Sequence, residues 1–209
     1  MGRRVKLGGA IIFTFLFISC CVISLATSWY KIQTSSNGNE VTSYFSWTMV
    51  RRENTVTPTI IIEQDYSDQG YDKIQNTFNS SLVLLVIGGF IGLVVLVLQV
   101  IGMSISSKVL KILSGILLLL ATAAVLVSFL QFVRINKAFD NDLPECNDLA
   151  INIPGMSAEI NLNLSNSTGY CDKFRGEDDN VKYGPILGWY IMIGSIAFGF
   201  ISALASFCA

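Results

Sequence analysis

Histidine is absent from the 209 residues of this chain, and only 14% of the residues are Asp, Glu, Lys or Arg. Soluble domains carry about 25% charged residues, so the composition disfavours a soluble domain. Without histidine the chain lacks the commonest general base and metal ligand. The net charge of −1 excludes the basic excess that nucleic-acid binding requires. We therefore expect no catalytic residues, cofactor, metal site, small-molecule substrate or nucleic-acid partner.

The apolar residues are concentrated in four runs, at 7–28, 82–103, 112–133 and 184–207, and none of these runs contains a charged side chain. Each is long enough to cross ~30 Å of hydrocarbon as a helix. Helix is the required form because lipid cannot satisfy free backbone groups. The sequence predicts a membrane protein built on an all-α four-helix transmembrane bundle, with the lipid bilayer as its first partner.

The first run also fits a secretory signal peptide. Three basic residues precede it, and Ala26-Thr27-Ser28 ends it with small side chains, as at a cleavage site. The apolar stretch is longer than the ~7–15 residues of a signal core, which favours a retained span. Cleavage would leave three spans.

The placement of charge predicts the orientation. All fifteen acidic residues lie in two long connections, residues 29–81 (the first loop) and 134–183 (the second loop). The charged residues of segments 1–6 and 104–111 are all basic. The positive-inside rule then places 1–6, 104–111 and 208–209 in the cytoplasm and both loops outside. We expect such a chain in the plasma membrane.

Cysteine and asparagine positions agree with an outer second loop. Cys146 and Cys171 are the only loop cysteines, and an oxidising exterior favours a disulfide between them over two free thiols. Asn163 and Asn166 each begin an N-glycosylation motif. Cys208, at the cytoplasmic edge, is either a palmitoylation site or an unmodified thiol.

The first loop is typical of β-strands. Residues 29–34 and 40–51 are rich in aromatic and β-branched side chains and flank a turn at Asn37-Gly38. A third strand is predicted over 57–62, at an edge because of Pro58, and a further strand over 159–164. This predicts a small extracellular antiparallel β-sheet. Aromatic residues are enriched at interfaces, and the predicted interaction surface consists of Trp29, Tyr44, Phe45 and Trp47.

Small residues at four-residue spacing mark two of the spans. Gly88 and Gly92 form one such pair, and Ser195, Gly199 and Ala203 repeat the spacing in the fourth span. Such stripes let helices approach closely in lipid. They serve packing within the bundle or, alternatively, contacts between protomers.

The architecture resembles the claudin superfamily, which includes claudins, the peripheral myelin and epithelial membrane proteins, and auxiliary subunits of AMPA receptors. Trp29 at the exit of the first span matches the family's first-loop tryptophan, and Trp47 falls where its Gly-Leu-Trp motif would be. Tyr183-Gly184 followed by Gly188-Trp189 resembles the start of the family's fourth span. The two first-loop cysteines of the family are absent here, so the resemblance is to a divergent member.

The resemblance implies a non-enzymatic tetraspan glycoprotein of the cell surface. Its loops would mediate cell adhesion, assembly or junction and barrier organisation by binding further copies as a homo-oligomer or another membrane protein. The alternative is an auxiliary or regulatory subunit that packs its transmembrane helices against a channel or receptor.

Overall fold

The structure is a computed structural model that describes residues 3–36, 39–54, 60–105, 107–143, 146, 169–178 and 180–208. Four of its helices are long and apolar enough to cross a membrane, which confirms the four predicted spans. They are α1 (Arg3–Ala26), α3 (Asp72–Ser104), α4 (Lys108–Phe132) and α6 (Leu187–Phe207). Two short helices, α2 (Tyr66–Gln69) and α5 (Ile135–Asp142), lie between them in sequence.

The four long helices form a closed ring in which α1 packs on α3 and α6, and α4 packs on the same two. Helix α3 has 33 residues, about 50 Å at 1.5 Å per residue, so it extends well beyond a bilayer core. The first turn of α3 is capped by Asp142 of α5, because the Ile74 N–H donates to Asp142 Oδ2 at 2.7 Å. A carboxylate at this helix end also complements the positive end of the dipole.

Both long loops contribute to one six-stranded antiparallel sheet. The strands are β1 (Tyr30–Ser36), β2 (Asn39–Phe45), β3 (Met49–Asn54), β4 (Ile60–Asp65), β5 (Gly176–Asp178) and β6 (Val181–Pro185). Their order across the sheet is β4-β3-β2-β1-β6-β5. Because β1 pairs with β6, the two loops lie at the same end of the bundle. This confirms the predicted four-helix bundle with a small sheet.

Several predicted boundaries differ from the observed ones. The predicted strand over 40–51 is two strands, because Ser46 turns the chain by bonding to Met49 O through its backbone N–H and its hydroxyl. The predicted fourth span begins at Gly184, but Gly184 and Pro185 pair with β1 and the helix begins at Leu187. The helix that contains the second predicted span begins at Asp72, ten residues before that span.

Other predictions fall partly or wholly outside the described residues. The turn at Asn37-Gly38 lies there, although Ser36 and Asn39 on either side of it are paired in the sheet. The same holds for the first residues of the predicted third strand, 57–59, and for the predicted strand at 159–164. The glycosylation motifs at Asn163 and Asn166 also lie outside the described residues.

Candidate functional site: the sheet and its open edge

An aromatic cluster fixes the sheet to the ends of the helices. The Trp29 ring lies between Trp47, at 4.1 Å between centroids, and Phe132 of α4, at 4.9 Å. Phe78 of α3 contacts Trp47, Phe132 and Tyr66. Edge-to-face contacts of this kind add about 0.5–1.5 kcal/mol each to the burial of the rings. The sheet is therefore held rigidly against the bundle.

The two tryptophans are also tied to the end of α1 by hydrogen bonds. Trp29 Nε1 donates to Ser24 O at 2.8 Å, and Trp47 Nε1 donates to Leu25 O at 2.7 Å. Carbonyls in the last turn of a helix have no partner within the helix, so the indole N–H groups provide hydrogen-bond donors for two of them. The end of the first span and the β2–β3 turn are thus joined through side chains.

The predicted aromatic interaction surface is wrong for three of its four residues. Trp29 is fully buried, and Phe45 and Trp47 are 3% and 8% exposed. Their apolar face is covered by the ends of the chain's own helices instead of by a partner. Tyr44 is half-buried and lies on the opposite face, since neighbouring residues of a strand point to opposite sides.

The second loop completes the cluster on its far side. Tyr30 contacts Phe139 of α5 at 5.2 Å between ring centroids, and its hydroxyl donates to Phe174 O at 3.0 Å. The predicted disulfide between Cys146 and Cys171 is present and lies against this cluster. Burial raises the pKa of Tyr30 and of Tyr66 above the usual tyrosine value, because a charged phenolate is disfavoured away from water.

The small-residue stripes lie at contacts between helices of one chain. A Cβ on Gly88 would meet Val125 Cγ2 at 2.6 Å, and one on Gly92 would meet Phe17 Cε1 at 2.7 Å. Gly199 lies against Phe17 and Thr122. Ser195 and Ala203 are fully buried in the bundle. The packing within the bundle therefore accounts for all five residues.

A polar network joins three spans near the end of the bundle opposite the sheet. No local pattern in the sequence indicates it. Thr14 Oγ1 donates to Gln99 Oε1 at 2.9 Å and lies 2.6 Å from Ser202 Oγ. Gln99 Nε2 donates to Ser206 Oγ at 3.0 Å. All four side chains are buried. Polar groups inside lipid-facing bundles need such partners, so the network fixes α1, α3 and α6 together.

The face of the sheet that points away from the bundle is polar. Lys31, Tyr44, Arg51 and Glu63 lie in one row across four strands, and Arg51 forms an ion pair with Glu53 at 2.7 Å. The Lys182 ammonium is paired with Glu177 at 2.7 Å, and this hydrogen bond raises its pKa. These charged and polar side chains are suited to contact with water.

Strand β4 forms one edge of the sheet among the described residues, and β5, with three residues, forms the other. Ile61 is 52% exposed and Ile62 is 47% exposed, on opposite faces of the strand. In the described parts of the two long loops, the only other large apolar side chain that is exposed is Val41, at 37%. Unpaired edge strands with apolar side chains are templates for strand addition. Pro58, which precedes the three isoleucines, was the signal for an edge strand in the sequence.

Among the residues that the structure describes, no group of three or more Cys, Asp or Glu could hold a metal ion. Cys208 is exposed at the end of α6. No protein-family model matches the chain, and no curated protein sequence matches it.

Proposed function

We propose that this protein is a non-enzymatic tetraspan of the plasma membrane that assembles with neighbouring membrane proteins through the edge of its outer sheet. Four apolar helices and a sheet built from both loops support a four-span protein with its loops on one side. The charge distribution supports cytoplasmic termini and outer loops.

The observation that carries the proposal is the combination of a rigid sheet with an apolar open edge. The aromatic cluster holds the sheet against the bundle, so the edge is presented in one orientation relative to the membrane. Ile61 and Ile62 expose apolar surface on both sides of that edge. Preorganised surfaces of this kind lose little conformational entropy on binding.

Divergent membership of the claudin superfamily is part of this proposal. It rests on Trp29, Trp47 and the segment from Tyr183 to Trp189 together with the four-span architecture. In this chain the stabilising disulfide belongs to the second loop, whereas the family pattern places two cysteines in the first. Adhesion and junction organisation are the functions that this membership would imply.

Photo-crosslinking in native membranes tests the proposal. A benzophenone amino acid replaces Ile61 at the sheet edge or, as the matched position, Phe90, which is 66% exposed on the surface of α3. We expect adducts with a second copy or another membrane protein from position 61. Protein adducts from position 90 alone would contradict the proposal and favour the auxiliary subunit that packs through its spans.

A further inference from the structure

A cationic cleft lies where the sheet meets the outer end of α6. It is open to one side, has a volume of about 590 Å³, and is lined by Lys31 of β1, Arg175, the Lys182–Glu177 pair and Tyr190 of α6. Three cations face one carboxylate in this cleft. The surroundings are acidic, because the two loops together carry nine basic and fifteen acidic residues. The cleft therefore carries a net positive charge although the loops around it carry a net negative one.

Two of the cations are available to a ligand. Neither Lys31 nor Arg175 forms an ion pair with a carboxylate of the described residues. Lys31 Nζ has three N–H donors and donates to Gln33 Oε1 at 3.5 Å. Glu40 lies on the same face, accepts from Gln33 Nε2 at 3.3 Å and helps to raise the pKa of Lys182, but it does not line the cleft.

Gly184 leaves space for the side chain of Arg175 in the wall of the cleft. Its φ of +155° is a conformation that residues with side chains rarely adopt, and a Cβ there would lie 3.1 Å from Arg175 Cγ. The absent side chain therefore leaves room for the stem of Arg175. The guanidinium then reaches Tyr190, where Nη1 donates to the hydroxyl oxygen at 3.4 Å. The Tyr190 hydroxyl keeps its own proton for a further acceptor.

The cleft opens at the depth of lipid headgroups. The lipid-facing surface of α6 begins at Leu187, which is 60% exposed, and Tyr190 follows one turn later at 42% exposed. Tyrosines at this position of a span lie in the interfacial layer. Arginine and lysine bind phosphate oxygens through charge-assisted hydrogen bonds.

We propose that this cleft binds the phosphate of a phospholipid headgroup in the adjoining leaflet, with Lys31 and Arg175 as its charge partners and Tyr190 as a hydroxyl donor. The site is separate from the β4 edge, since β4 and β6 lie at different positions in the sheet with β3, β2 and β1 between them. Its failure would leave the proposed assembly function untouched.

Native mass spectrometry of the delipidated full-length protein in detergent tests this site. The probe is dimyristoyl phosphatidylglycerol, whose charge resides on its phosphate, with dimyristoyl glycerol as the ligand that lacks the phosphate. Two basic residues contribute about 1 kcal/mol each to such binding, so Lys31→Gln with Arg175→Gln should weaken it by about thirtyfold. Tyr190→Phe should weaken it less, with no change in charge.

The matched control is Lys73→Gln with Lys173→Gln, which changes the loop charge equally at two exposed lysines outside the cleft. We expect wild-type phosphatidylglycerol binding in this control and no binding of the diacylglycerol. Equal loss in both double variants, or no loss in either, would overturn the proposal. Displacement of the lipid by inorganic phosphate would assign the cleft to a free anion and would also overturn it. Thermal unfolding of each variant checks that the fold is retained.

Discussion

The indole rings of Trp29 and Trp47 lie 4.1 Å apart and donate to consecutive carbonyls at the end of α1, those of Ser24 and Leu25. This pair joins the first span to the sheet. Through these contacts the sheet packs directly on the end of the helix bundle.

We predict that Trp47→Phe lowers the free energy of unfolding by more than Trp189→Phe. The first change removes the hydrogen bond to Leu25 O, worth about 0.5–1.5 kcal/mol. Trp189 Nε1 has no hydrogen-bond partner in the described part of the chain, so the second change removes only ring area. Thermal unfolding in detergent, followed by circular dichroism, measures the difference, and equal losses would count against the tie to α1.

A second comparison concerns neighbouring glycines of α3. Gly88→Ala should destabilise the bundle by about 1–3 kcal/mol, because its Cβ would meet Val125 Cγ2 at 2.6 Å and Ala121 O at 3.0 Å. Gly89→Ala should not, because the nearest contact of its Cβ is Cys21 Cβ at 3.7 Å. Resistance to unfolding by added dodecyl sulfate reports both variants. Similar stability of the two would mean that α3 and α4 are less close than described.

The buried polar network gives a third prediction. Gln99→Leu removes the bonds to Thr14 and Ser206 and should lower stability by about 1 kcal/mol, the range measured for hydrogen bonds between membrane helices. Thr122→Val is the control, because the Thr122 hydroxyl donates to Leu118 O within its own helix. The same unfolding assay compares them, and a neutral Gln99→Leu would show that the network adds no stability.

The coarse architecture followed from the sequence because its signals are local. Uncharged runs of about twenty residues define the spans, and the isolated loop cysteines indicated the disulfide. The β2–β3 turn was missed since Ser46 is the only usual turn residue there and it lies within a run of aromatic and β-branched side chains that is typical of a strand. Strands β5 and β6 were missed because β5 has three residues, too few for a periodic pattern.

The burial of the aromatic residues was predictable only in part. Alternation along a strand puts Phe45 and Trp47 on one face, but alternation does not say what covers that face. The answer depends on Phe78, Phe132 and Phe139, which come from three different helices. Contacts between residues so distant in sequence are set by tertiary packing, which no local pattern contains.

Alkaline pH provides a fourth prediction. Burial raises the pKa of Tyr66. In the unfolded chain the Tyr66 hydroxyl ionises near the ordinary value of about 10, whereas in the folded protein it keeps its proton at that pH. The stabilisation is complete below that pH and is lost as the pH rises above it. The stability of Tyr66→Phe should therefore fall less steeply above pH ~10 than that of the wild type.

Tyr30→Phe should behave in the same way, since burial also raises the pKa of Tyr30. Unfolding midpoints measured on both sides of the tyrosine pKa give the slopes. If both variants lose stability as steeply as the wild type, these phenols are open to water and the aromatic cluster is looser than described.

The most direct test of the proposed assembly surface is the size of the complex that the protein forms when it is extracted from native membranes in mild detergent. Ile61→Lys with Ile62→Lys places charge at the open edge, where both side chains are about half exposed, so the fold should tolerate it. Val41→Lys is the control, on β2 and away from the edge. We predict that the edge variant runs as a monomer while the control keeps the wild-type size. A wild-type complex in the edge variant would contradict assembly through β4.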